Sequence, residues 1–249
     1  MWGVIQSEWL KYRRTATPWL IGGGPLTLLL AAGLPRALVG FGLTWDQVLA
    51  LVFNWWPIIW LPFGLAILAG QSAAIERRSG AWRALRGRPI APTALYAGKF
   101  AALATQSLLG TLWLLALTVV CGSFLTRQAP PLAQLLLLGS ALWVAALPLV
   151  ALMLWLALAG GFVATLLGAI VGVALGALMA EGPRWFLVPT AWPLRIALPL
   201  ARVHANGVPL EPDSPLRQLS SLPPLGAALV ATAIVLIPGQ WWFARREVR

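Results

Sequence analysis

The sequence is poor in charged residues and has almost no cysteine. Only 10% of its 249 residues are charged, against roughly 25% in soluble domains. Hydrophobic residues make up 59%, and the mean hydropathy is +0.81. The chain is therefore predicted to lie in a bilayer. Its single cysteine, Cys121, excludes an internal disulfide and a cysteine-based metal cluster.

Several chemical motifs are also missing. No G-x-x-x-x-G-K-[ST] stretch occurs, so the chain is predicted to bind no nucleotide and no other cofactor. The interiors of the apolar runs hold no Asp, Glu, Lys, Arg or His, which disfavours a proton-coupled transporter. No G-x-S-x-G surrounds a serine and the one histidine lies in a predicted outer loop, which disfavours an intramembrane protease. The lone His204 has no Cys or second His to complete a metal site and is interpreted as a loop residue.

Six apolar runs are long enough to cross about 30 Å of hydrocarbon as helices rising about 1.5 Å per residue. Helices are expected because the bilayer offers no water to the backbone. A signal peptide is an alternative for the first run, but that run lacks a clear cleavage site. The whole chain, 1–249, is predicted to be one all-α polytopic membrane domain. Its six transmembrane helices are placed at Pro18–Leu34, Leu51–Ala74, Leu95–Val120, Leu132–Leu158, Gly161–Ala180 and Leu225–Phe243.

The formal charge of +11 lies mainly at the ends of the apolar runs, which favours contact with membrane lipids over nucleic acid. With the N-terminus inside, the inner segments carry twelve basic residues: Lys11, Arg13, Arg14, Arg77, Arg78, Arg83, Arg86, Arg88, Lys99, Arg245, Arg246 and Arg249. The outer segments carry six: Arg36, Arg127, Arg184, Arg195, Arg202 and Arg217. The positive-inside rule therefore predicts that both termini are cytoplasmic.

Residues 1–16 have the pattern of an amphipathic helix in the cytoplasmic interface. Trp2, Ile5, Trp9 and Tyr12 recur at helical spacing, while Ser7, Lys11 and Arg14 fall on another face. A basic anchor for the first span is the alternative interpretation.

The loop at 76–92 is the most basic segment between two spans. Trp82 and Leu85 can share one side of a short helix, with Arg83 and Arg86 displaced from it. Pro89 is predicted to stop that helix, and Pro92 to begin the next. Trp and Arg are enriched at protein interface hot spots, which favours a docking surface over an ordinary basic loop.

Two further segments have a distinctive pattern. Gly168, Gly172 and Gly176 form a small-residue stripe that lets another helix approach closely, either within the fold or between two protomers. The proline-rich segment 181–224 is predicted to form short broken helices at the outer face.

Two stretches resemble the permease subunits of ABC-2 type exporters. They are "SEWLKYRRT" before the first span and the pattern "E...G.W..L...PI.....Y.GK" from Glu76 to Lys99. The small six-span permeases of lantibiotic or bacitracin self-protection, a form of antibiotic resistance, are the most similar in character. The resemblance implies an interfacial helix that includes Glu8, Trp9, Lys11 and Arg14. It also implies an ATPase-coupling helix formed by Glu76, Arg77, Arg78, Gly80, Trp82, Arg83, Leu85 and Arg86.

The same resemblance implies the function and the partners. The expected protein is a permease in the cytoplasmic membrane of a prokaryote that exports an amphipathic or apolar molecule, such as an antimicrobial peptide, a drug or a lipid-like compound. It would pair with a second permease copy or a sister permease and bind two ABC ATPase subunits, which hold ATP and Mg. The chain itself is not expected to be an enzyme. An ATP-independent channel or secondary transporter, and a membrane-embedded enzyme or chaperone, are the alternatives.

Overall fold

The computed structural model describes residues 9–12, 15, 17–38, 42–78 and 90–245, with the side chains of 32–38 and 78 excepted. Within these ranges every regular element is helical. The α-helices are α1 (Thr17–Leu38), α2 (Trp45–Trp55), α3 (Leu61–Arg78), α4 (Pro92–Thr126), α5 (Leu132–Met179), α6 (Ala191–Ala201) and α7 (Leu222–Arg245).

Four helical stretches are long and apolar enough to cross a membrane: Trp45–Arg77, Pro92–Thr126, Leu132–Met179 and Leu222–Arg245. A shorter apolar stretch covers Thr17–Ala31. These findings confirm the predicted class, an all-α multi-pass membrane protein. The count of six spans and the direction in which they cross stay predictions.

Helices α2 and α3 form one continuous span joined by a π-helical turn at Trp56–Trp60. The span begins at Trp45, earlier than the predicted Leu51, because Thr44 and Gln47 form a capping box. The Gln47 backbone N–H donates to the Thr44 hydroxyl at 3.4 Å, and the Thr44 backbone N–H donates to the Gln47 side chain at 3.0 Å. The π turn contains Pro57, which lacks the N–H that a regular helical bond would use.

Helix α5 contains 48 residues and is broken at Gly161. A straight helix of that length would measure about 72 Å, more than twice the hydrocarbon thickness. Gly161 has φ 81° and ψ −163°, a backbone conformation that side chains with a Cβ rarely adopt. Beyond the break, Gly168 lies against Leu156 and Met153 of the first arm. The two arms therefore fold back on each other, as predicted from the separation of the fourth and fifth apolar runs at Ala159–Gly161.

The first arm of α5 lies at the centre of the fold. Leu138, Leu142, Leu149 and Leu154 on this arm are fully buried. Helix α5 packs against α3, α6 and α7, while α1 packs mainly on α4. Helix α7 is mostly exposed and apolar, as a lipid-facing helix is expected to be.

The segment between α5 and α7 consists of short helices, as its prolines predicted. A 3-10 turn at Trp185–Leu187 precedes α6, and a second one covers Pro215–Gln218. Between them, an isolated bridge pairs Val203 with Pro209.

Candidate functional site

Glu76 and Lys99 form a buried ion pair where the 76–92 loop leaves α3 and enters α4. The Lys99 Nζ lies 2.7 Å from the Glu76 Oε1, and both residues are 1% exposed. The Lys99 ammonium also donates to the Ser72 hydroxyl at 3.3 Å. Because a charge in a low-dielectric site is stable only when it is paired, each side chain holds the other in place. The pair thus fixes the two helix ends that carry the loop.

The N-terminal segment joins the same carboxylate. Residues 9–12 are helical, and the Lys11 Nζ donates to the Glu76 Oε1 at 2.8 Å. One oxygen of Glu76 therefore accepts from Lys11 and from Lys99. The carboxylate connects the predicted interfacial helix to α3 and α4.

Arg77 connects the start of the loop to the turn of the α5 hairpin. Its Nη2 donates to the Leu158 carbonyl at 2.9 Å and to the Ala157 carbonyl at 3.4 Å. These carbonyls end the first arm of α5, where helical carbonyls lack backbone donors. The guanidinium also lies against Gly161, where an added Cβ would come within 2.6 Å of the Arg77 Nη1. We call Lys11, Glu76, Arg77 and Lys99 the loop root.

Tyr96, another residue of the quoted pattern, connects the first turns of α4 to α7. It is fully buried, and its ring centroid lies 5.8 Å from that of Phe243. Its hydroxyl lies beside Gly239, where no side chain intervenes. The residues around the loop root therefore contact α3, α4, α5, α7 and the N-terminal segment.

The structure describes only some of the predicted site residues. Glu76 and Arg77 of the coupling segment and Trp9 and Lys11 of the interfacial helix lie together at one end of the bundle. The residues outside the described part, or described only in their backbone, are Glu8, Arg14, Arg78, Gly80, Trp82, Arg83, Leu85 and Arg86. Their roles stay predictions.

The sequence reasoning missed the pairing within the loop root. It placed Glu76 and Lys99 at span ends without pairing them, and it interpreted Lys11 as part of a polar helix face. The available signal was the quoted pattern itself, which begins at Glu76 and ends at Lys99. Two opposite charges at the facing ends of consecutive antiparallel spans are placed to pair.

The glycine stripe contacts residues of the same chain. Gly168 faces the first arm of α5, whereas Gly172 and Gly176 lie against Thr190 just before α6. The Thr190 hydroxyl donates to the Gly172 carbonyl at 2.5 Å. An added Cβ at Gly176 would lie 3.0 Å from the Thr190 carbonyl oxygen. Through these contacts the glycine stripe packs within the fold. Its role in contacts between protomers stays a prediction.

A second polar cluster lies at the opposite end of the bundle. The His204 Nδ1 lies 3.1 Å from the Glu181 carboxylate, and its Nε2 lies 3.2 Å from the Glu211 carboxylate. The Ala205 N–H donates to the Glu181 Oε1 at 2.7 Å. Arg202 forms an ion pair, at 2.8 Å, with Asp46, which lies in the first turn of α2. Together these contacts attach the proline-rich segment to α2 and to the end of α5.

This outer cluster shifts two pKa values. Burial lowers the pKa of His204, but its hydrogen bonds to Glu181 and Glu211 outweigh that effect and raise the pKa above its ordinary value. The Glu211 backbone N–H and His204 hydrogen-bond to the Glu211 carboxylate and lower its pKa. Among the described residues no group of His, Cys, Asp and Glu has the geometry of a metal site.

The two clusters lie at opposite ends of one span. Asp46 and Glu76 lie near opposite ends of the Trp45–Arg77 span, about 45 Å apart along the helix. Lys11 and Lys99, predicted to lie inside, are at the Glu76 end, and Arg202, predicted to lie outside, is at the Asp46 end. Which of these ends faces the cytoplasm stays a prediction from the positive-inside rule.

The fold defines a multi-pass helical membrane protein in which a buried ion pair joins the ends of two successive spans at Glu76 and Lys99. The profile of the family described as "ABC-2 family transporter protein" matches residues 4–176, more than half of the chain. The chain therefore belongs to the ABC-2 transporter family and is a membrane component of an ABC transporter. Permeases of this family work with ABC ATPase partners. Comparisons with curated proteins and with solved structures gave no significant match.

Proposed function

We propose that this chain is the permease subunit of an ATP-driven exporter and that the 76–92 loop receives the force from an ATPase subunit. The buried Glu76–Lys99 pair is the observation that carries the proposal. A loop that transmits force must be anchored firmly to the helices at its two ends. A buried ion pair between those ends supplies such an anchor, because breaking the pair would leave an uncompensated buried charge.

Movement of the loop would reach several helices through the loop root. The Glu76–Lys99 pair would move α3 and α4 together, and Arg77 would carry the movement to the turn of the α5 hairpin. Lys11 would carry it to the N-terminal segment. Closely packed helices respond to such a push by rigid-body motion, which would open a path toward the outer side.

The proposed cargo is an amphipathic or apolar molecule, such as an antimicrobial peptide, a drug or a lipid-like compound. The described spans contribute largely uncharged surfaces, so a cavity between two permeases would offer a cargo apolar contacts and few ions. The proposed complex contains two permeases, as a homodimer or with a sister permease, and two ATPases that bind ATP and Mg. It would lie in the cytoplasmic membrane of a prokaryote, with six spans and both termini inside.

The direct test is association with the ATPase. Trp82→Ala and Arg83→Glu are expected to reduce co-purification of the ATPase severalfold and to leave membrane insertion intact, because Trp and Arg are frequent interface hot spots. Arg184→Met, which removes an exposed arginine from the proline-rich segment, is the matched control and should change nothing. Unchanged co-purification in both loop variants would contradict the coupling role. Transport by vesicles that contain no ATPase would favour a channel or secondary transporter instead.

A further inference from the structure

A large pocket opens between residues 9–12, the start of α1 and the middle of α4. Its volume is about 580 Å³, within the range of small-molecule sites. Its lining includes the large apolar residues Trp9, Ile21, Leu109, Leu112 and Trp113. No charged side chain is among the described residues that line it.

One polar side chain in this wall is unsatisfied. Gln106 of α4 is 1% exposed, and neither its Oε1 nor its Nε2 has a hydrogen-bond partner among the described residues. Gln106 lies seven residues beyond Lys99, about 10 Å further along α4 and into the span. An unpaired amide in such a place costs free energy, so native proteins rarely retain one without a partner.

A smaller pocket of about 50 Å³ is also lined by Gln106. It shares Ile21 and Gln106 with the large pocket and is also lined by Trp56. The Trp56 indole N–H is buried and has no partner among the described residues. Gln106 therefore lines both pockets, and Trp56 lines the smaller one.

From this arrangement we infer that the large pocket binds an uncharged amphipathic molecule whose apolar body lies against the aromatic wall and whose amide group pairs with Gln106. A secondary amide supplies one carbonyl acceptor and one N–H donor, which match the two free atoms of the Gln106 side chain. The described residues that line the pocket offer apolar surface and a neutral amide, which favours an uncharged ligand.

Acylated peptides and amide-bearing membrane lipids share this chemistry, so the ligand has two possible sources. Binding does not require the ATPase. The further step, that this ligand is also the exported molecule, rests on the proposed function. If the proposed function fails, the inferred binding site still stands.

The test uses the purified full-length chain without any ATPase and a photoreactive long-chain fatty amide. A probe with the same chain but no amide group is the matched control. We expect the amide probe to label α4 near residues 106–113 saturably, and Gln106→Leu to reduce this labelling at least tenfold. Labelling by the hydrocarbon probe should stay the same in both proteins. Equal labelling by the two probes, or no effect of Gln106→Leu, would overturn the inference and leave water as the partner of Gln106.

A second variant guards against loss of folding. Leu112→Trp is expected to fill the pocket and block the amide probe, whereas Leu136→Trp, at another exposed apolar position, should not. Both variants must keep the thermal transition of the parent. Native mass spectrometry of the chain purified from host membranes then separates the sources: a co-purified amide lipid indicates the bilayer, and a co-purified acylated peptide indicates exported cargo.

Discussion

Glu76 and Lys99 form a buried ion pair at 2.7 Å that joins the end of α3 to the start of α4. The pair closes the base of the loop that we assign to ATPase docking. Both residues belong to the pattern by which the chain resembles ABC-2 permeases. Some residues of this pattern therefore make structural contacts and need not belong to the docking surface.

Glu76→Gln is expected to lower the free energy of unfolding by about 3–5 kcal/mol, because it leaves a buried ammonium without its carboxylate. The double variant Glu76→Gln with Lys99→Met should recover much of that loss, because both charges are then removed together. Denaturant titration in detergent measures both values. Additive losses in the double variant would contradict the pairing as an energetic unit.

Arg77→Met should loosen the turn of the α5 hairpin. The variant removes the donors to the Leu158 and Ala157 carbonyls, and a hydrogen bond of this kind contributes about 1–2 kcal/mol. Hydrogen exchange at residues 158–164 should therefore become faster. Arg184→Met is the control for loss of one exposed positive charge. If exchange in the turn is the same in both variants, Arg77 does not hold the hairpin.

Gly161→Ala is expected to destabilise the chain by about 1–3 kcal/mol, because the residue has φ 81° and a Cβ would meet the Arg77 guanidinium. Gly226→Ala in α7 is the matched control, since an added Cβ there meets nothing within 4 Å. That control should be neutral or slightly stabilising. Thermal unfolding of the two variants at equal detergent concentration makes the comparison, and equal transitions would argue against a sharp break at Gly161.

The attachment of residues 202–211 is expected to depend on pH through His204. The pKa of His204 is raised in the folded state, so its stabilising contribution is complete below about pH 6.5 and is lost as the pH rises through the raised value. Glu211 has a lowered pKa in the folded state, so its effect on stability has the opposite pH dependence. Its stabilising contribution is complete above its ordinary pKa, about 4.3, and is lost as the pH falls through the lowered value.

Hydrogen exchange of the Ala205 amide, corrected for the intrinsic exchange rate, measures this attachment because that amide donates to Glu181. Protection should be greater at pH 5.5 than at pH 8 in the parent and should not vary in His204→Gln. A pH dependence that persists in His204→Gln would assign the effect to another group.

Local sequence signals predicted the helices well. Pro92 was predicted to begin a helix and is the first residue of α4, where its missing N–H has no cost. The two apolar runs on either side of Gly161 became the two arms of α5. The start of α2 was missed because the capping box at Thr44 and Gln47 lies outside the apolar run that defined the span.

Long-range contacts were beyond the sequence reasoning. Helical periodicity places a residue on one helix but does not show which neighbouring helix packs there. The contacts from Lys11 to Glu76 and from Arg77 to Leu158 therefore required the fold. The same applies to His204, which was interpreted as an ordinary loop residue and lies between Glu181 and Glu211.

The most direct test of the account is a photo-crosslinking residue at position 82 in the full-length chain in host membranes, followed by mass spectrometric identification of the captured partner. The account predicts capture of a subunit whose sequence contains G-x-x-x-x-G-K-[ST], with loss of that product when Arg83 is replaced by Glu. Capture of lipid alone, with no protein partner, would contradict the central claim that this loop couples the permease to an ATPase.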